Sequence, residues 1–248
     1  MRPARGHDFA SITARFLCFK QGLSSPAVPQ QEKERMARMR ILAVMVALAA
    51  LGASAMATVD DPTLDCLSED NERRISGCSA LLDTPGLPDE QRSLAFGMRA
   101  LAYSLLGIFD KALSDYDAAL KIKPDFPLAL NNRAWAYYKL GRPADGVADV
   151  EKALELSPGS PYALDTRAHI RQTQGDAKAA LADYELAMRV GGERIVRMYQ
   201  CGLRSLGLYF GAVDGVYSAA VGEAMRVCTG NRQCDPLPSD SECRPEVS

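Results

Sequence analysis

The sequence predicts an all-α fold, a solenoid of stacked helical hairpins, and two observations carry that prediction. One block recurs at a step of 34 residues, and each copy holds two apolar-periodic helices separated by a glycine turn. Arg99-Ala100, Arg133-Ala134 and Arg167-Ala168 mark the step. Gly107, Gly141 and Gly175 follow it, as do Tyr116, Val150 and Tyr184, and Ala119, Ala153 and Ala187. The units run 93–126, 127–160 and 161–194. The first two close with Pro124 and Pro158 just past the second helix, where a residue without an N–H does least harm.

Small residues let paired helices approach closely, so Ala100, Ala134 and Ala168 are expected to face Ala112, Gly146 and Ala180 across each hairpin. Phe96, Leu130, Leu164, Tyr103 and Tyr137 are expected to fill the spaces between hairpins. No single hairpin can bury its own apolar face, so stacking is what stabilises the array. The third unit is degenerate, with Arg171 and Gln174 where the others carry Tyr and Leu, and it ends in Gly191-Gly192 without a proline. Ahead of the array, residues 58–92 read as an N-terminal cap. A helix over Glu72–Leu82 places Ile75, Cys78, Leu81 and Leu82 on one face to cover the first hairpin.

The period, glycines, alanines and prolines together resemble the tetratricopeptide repeat family over about 100 residues. That resemblance implies a concave groove lined by the first helix of each hairpin, which holds an extended or helical peptide. It places Leu101 and Ser104 on the groove in the first unit, Asn131, Trp135 and Tyr138 in the second, and Asp165, His169 and Gln172 in the third. Trp135, the sole tryptophan, has two readings: it packs on a neighbouring helix or the C-terminal module, or it anchors a partner. The basic clamp by which some family members hold a C-terminal carboxylate is not recognisable. His169 is read as a groove residue and not as a catalyst.

The segment ahead of the cap reads as an address. Residues 36–57 run from a short basic stretch through an apolar core to a small-x-small end at Ala55 and Ala57, the pattern of a secretory signal peptide. The apolar run is shorter than the roughly 20 residues that span a bilayer. Residues 1–35 carry no periodic pattern and are expected to be a spurious or disordered extension, with translation starting at Met36 or Met39. Once the leader is cleaved, no membrane span and a periplasmic location are expected. Residues 58–248 carry 21 basic and 28 acidic side chains, a net −7 that repels phosphate backbones, so no nucleic-acid partner is expected.

The cysteines agree with export. Cys66, Cys78, Cys201, Cys228, Cys234 and Cys243 make an even set beyond the leader, as expected of disulfides in an oxidising compartment. Fifteen connectivities are open to six cysteines. Short-range pairing favours Cys66–Cys78 and Cys228–Cys234, with Cys201 and Cys243 as a less certain third pair. No Cys-x-x-Cys occurs and His169 is the one histidine left after cleavage, so neither a metal site nor a cofactor is expected.

From residue 195 the 34-residue period stops. Residues 195–234 read as a helix ending at Gly207, a tight loop with Asp214-Gly215, and a second helix beginning near Ser218. Gln200, Leu203, Gly207, Gly211, Asp214-Gly215, Tyr217 and Ala224 resemble the small helical peptidoglycan-binding domain of bacterial envelope proteins. Ser218 and Val221 stand where that family carries Gly and Thr, so wall binding and mere packing both stay open. If it binds glycan, Tyr209, Phe210 and Tyr217 are the stacking candidates, with Asp214 in the loop; the plain role of Asp214 is a local turn. Residues 235–248 read as an irregular tail. With no catalytic constellation in the spacing, the sequence points to an exported protein-interaction adaptor whose partner is an envelope protein or peptide, with attachment to peptidoglycan through the C-terminal module left open. The alternative is a peptidoglycan hydrolase or its dedicated accessory.

Overall fold

A computed structural model describes residues 61–237. The leader at 36–57, the extension at 1–35 and the tail with Cys243 lie outside the described residues. The described chain is helical throughout: α1 (Pro62–Cys66), α2 (Asn71–Leu82), α3 (Asp89–Leu105), α4 (Phe109–Ile122), α5 (Pro127–Lys139), a 3-10 turn (Pro143–Gly146), α6 (Val147–Leu156), α7 (Pro161–Gln174), α8 (Ala177–Ser205) and α9 (Ala219–Thr229).

The cap is a tight crossing of α1 over α2. Asp61 and Asp70 cap the two helices by accepting from the backbone N–H of Thr63 at 2.9 Å and of Arg73 at 2.8 Å. Gly77 lies against the backbone of α1, where an added Cβ would meet Cys66 N at 2.5 Å, so only glycine permits the crossing. The Cys66–Cys78 disulfide closes it. Cys66, Cys78 and Ala95 then form a small buried cluster with Leu81, Leu82 and Met98, which joins cap to first hairpin.

The hairpins are α3/α4, α5/α6 and α7/α8. Gly107, Gly141 and Gly175 turn each of them with φ between 72° and 90°, a region that side chains with a Cβ avoid. Ala100, Ala112, Ala134, Ala168 and Ala180 are fully buried. In the second hairpin a Cβ on Gly146 would lie 2.9 Å from the Ala134 carbonyl oxygen. First helices begin with proline at Pro127 and Pro161, where the missing N–H costs nothing. The first hairpin starts at Asp89, ahead of residue 93.

A ladder of ion pairs runs up the stack. Arg99, Arg133 and Arg167 each clasp the Asp sixteen residues on, in the second helix of their own hairpin, through Nε and Nη2. The bonds to Asp115, Asp149 and Asp183 measure 2.6–2.9 Å. The remaining nitrogen, Nη1, reaches the preceding layer: Ser79 of the cap at 2.9 Å, Asp117 at 2.6 Å and Glu151 at 2.8 Å. One arginine therefore closes its hairpin and staples it to the previous one, a bidentate geometry that lysine cannot supply.

α8 is two helices in one. Gly192, at φ 62° and ψ −153°, breaks it into the second helix of the third hairpin and the first helix of the C-terminal module. The second arm buries Ile195, Val196, Tyr199 and Leu203 in the same core cluster that extends from Ala100 to Cys228. Gln200 organises the loop that follows. Its amide nitrogen donates to Asp214 Oδ1 at 2.9 Å and to the Val216 carbonyl at 3.0 Å, and its oxygen accepts from the Gly215 N–H at 2.8 Å. Ser218 caps α9, which buries Val221, Ala224, Met225 and Cys228.

Candidate concave groove

The first helices of the three hairpins frame a cavity of about 750 Å³. Leu101, Leu128, Asn131, Trp135, Tyr162 and Asp165 form one wall, while Arg194 and Met198, past the Gly192 break in α8, and Leu237 of the following chain complete it. Of the residues expected on the groove, Leu101, Asn131, Trp135 and Asp165 line it. The other four do not. Ser104 Oγ lies 3.4 Å from the Tyr116 hydroxyl, and Tyr138 packs between Trp135 and His169, with ring centroids 5.1 and 5.3 Å away.

His169 and Gln172 are covered for a different reason. The chain after α9 turns back at Gly230 and lies across the concave face of the third hairpin as a strap, residues 230–237. Gln172 gathers it: the side-chain amide donates to the carbonyls of Asn231 and Cys234, both at 2.7 Å, and to that of Cys228 at 3.3 Å. The Gln172 oxygen accepts from the Tyr184 hydroxyl at 3.0 Å. The Cys228–Cys234 disulfide closes the loop so held.

His169 is 1% exposed and has both ring nitrogens committed. Nδ1 lies 2.9 Å from the Asp165 carbonyl oxygen, and Nε2 lies 3.1 Å from Asp235 Oδ1 in the strap. A carbonyl and an ionised carboxylate only accept, so the ring that satisfies both is the doubly protonated imidazolium. Burial works against that charge, but Asp165 and then Asp235 outweigh it and hold the His169 pKa above its ordinary value. Burial also lifts the Asp165 carboxyl, against the pull of His169 and of the Tyr199 hydroxyl that donates to it. Asp235 is held below the usual carboxylate range: burial pushes it up, and the hydrogen bond and charge of His169 more than reverse this. With both nitrogens engaged, His169 ties the strap to the third hairpin.

Trp135 packs on a neighbouring helix and also borders the cavity. Its ring packs edge-on against His169 at 5.3 Å, in an aromatic run that continues through Tyr184 to Tyr199, and it stands on the cavity wall. Lys139 Nζ sits 5.4 Å from the ring centroid.

In the module, Tyr209 is corrected as a stacking candidate. Its ring is buried and its hydroxyl donates to the Ala212 carbonyl at 2.8 Å, which leaves no face for a sugar. Asp214 serves the loop, accepting from Gln200 and from the Val216 N–H at 2.9 Å. Phe210 and Tyr217 remain at the surface, Phe210 89% exposed. Cys201 is disulfide-bonded as well, while Cys243 lies outside the described residues.

A tetratricopeptide repeat family model matches residues 127–160, and a second model, described as a TPR repeat, matches residues 100–141. The groove is therefore that of a tetratricopeptide-repeat solenoid, and its first two hairpins carry the matched spans. No curated protein matches the chain. Among the described residues no helix is long and apolar enough to cross a membrane, and no group of three or more His, Cys, Asp or Glu side chains is placed to hold a metal ion.

Proposed function

We propose that this chain is an exported adaptor that holds a segment of a partner polypeptide in the cavity beside Trp135. The carrying observation is that the sole tryptophan stands, half-buried, on the wall of an open apolar cavity spanning three hairpins, where aromatic anchors contribute most to binding. The Cys66–Cys78 and Cys228–Cys234 disulfides and the basic-then-apolar leader support export to the periplasm. Photo-crosslinking from a probe placed at Leu128, in intact cells, identifies the partner; Trp135→Ala should weaken capture of that partner at least tenfold without loss of helical content. Equal capture by both proteins would refute the groove.

Attachment to peptidoglycan is a second reading, favoured by Phe210, Val216 and Tyr217, all three exposed in the module. Co-sedimentation with purified sacculi that Phe210→Ala abolishes supports it. Release of soluble muropeptides in the same assay would instead favour a wall hydrolase.

A further inference from the structure

The strap treats the third hairpin as a ligand would. It presents three converging backbone carbonyls to one glutamine amide, places a carboxylate on a buried imidazolium, and lays Leu237 on the wall of the open cavity. Asn131, Trp135 and Tyr138, one 34-residue step earlier, are the counterparts of Asp165, His169 and Gln172. The face that stays open beside the second hairpin is thus closed beside the third by the chain itself.

We propose that the concave face of the third hairpin is a second polypeptide-binding site, filled in this state by residues 230–237 and taken over by a partner segment of the same chemistry: a turn followed by an acidic residue, proline and an aliphatic residue. This rests on reading the concave face as a polypeptide groove and adds the ligand class and its competitor. The hold on the strap is local and polar. Asn231, Arg232 and Gln233 are exposed, and Gln172 spreads two amide hydrogens over three carbonyls. The apolar share comes from Cys234, Pro236 and Leu237, the last two at the point where the strap crosses α8. There Gly202 is required, because a Cβ would lie 2.0 Å from the Pro236 carbonyl oxygen. A displaced strap bares the His169 and Gln172 end of the third face and extends the groove along that hairpin.

The test uses the full chain with its disulfides intact and, as probe, a fluorescein-labelled synthetic peptide of residues 228–237 closed by its own disulfide. Asp235→Ala loosens the internal strap while keeping Gln172 and His169. The peptide should bind this variant at least tenfold more tightly than the parent, and adding Gln172→Ala should remove that binding. Gly202→Ala provides a second route, since alanine suits the interior of α8 but pushes the strap off. Amide exchange at Cys234 and Leu237 should then accelerate at least tenfold with the helices still protected. Equal peptide binding by parent and Asp235→Ala, or strap amides that exchange only when the helices do, would overturn the proposal. If the peptide fails while Trp135→Ala still abolishes partner capture, this inference falls and the adaptor reading stands.

Discussion

Asp235 reaches back across 66 residues of sequence to place its Oδ1 3.1 Å from Nε2 of His169. That one contact joins the end of the described chain to the middle of the third repeat. It also makes the strap sensitive to protons.

The sign follows from the two shifts. His169 has a raised pKa, so its contribution is complete below 6.5 and disappears as pH rises through the higher folded-state value. Asp235 has a lowered pKa, so its contribution is complete above 3.8 and disappears as pH falls through the lower folded-state value. Asp165 opposes: its raised pKa means ionisation costs stability as pH rises above 3.8. Strap docking is expected to persist from 3.8 to 6.5 and to weaken on the alkaline side of the His169 transition. Trp135 fluorescence reports it, because the adjacent imidazolium quenches the indole and its deprotonation should brighten it. A flat profile across the His169 range would contradict the charged-ring assignment.

Removing a rung of the ladder should cost far more than removing a surface pair. Arg133→Ala leaves Asp149, itself buried, without its bidentate partner and frees Asp117, a loss of about 3 kcal/mol. Arg142→Ala, whose pair with Asp145 is about half exposed on both sides, should change stability by less than about 0.5 kcal/mol. Urea unfolding of both variants separates them.

Glycines of like appearance should respond unlike. Gly146→Ala drives a methyl into the backbone of Ala134, and the hairpin must open, at about 2 kcal/mol. Gly159→Ala faces open space without a positive φ and should be neutral or slightly stabilising. Thermal unfolding is the measurement.

The cap disulfide should act on stability and not on the groove. Replacing both Cys66 and Cys78 by Ser is expected to lower stability by about 3 kcal/mol, in keeping with the 12-residue separation it closes. Partner capture through Trp135 should be unchanged once the variant is compared well below its melting temperature.

Much of the fold was legible because repetition makes local signals redundant. The 34-residue step, the three turn glycines and the buried alanines correspond to the hairpins found, and two family models match within them. The ion-pair ladder was visible too: Asp115, Asp149 and Asp183 recur at the same step as the arginines. Its pairing is not legible there, because a period reports that positions are equivalent without saying which of them touch. The groove was legible only in part. Leu101, Asn131, Trp135 and Asp165 follow from helix phase, whereas Arg194, Met198 and Leu237 carry no mark of membership in it.

By itself, the order of residues determined the repeat unit, the turns between helices and the faces that must be buried, since all of these are set by neighbours within one 34-residue step. Only the tertiary structure decided that Tyr209 turns inward, that His169 is buried and closed off, and that the strap ends the groove at the third hairpin. Those outcomes depend on contacts between segments far apart in the chain, whose free energies are small individually and come into being only once the hairpins have stacked.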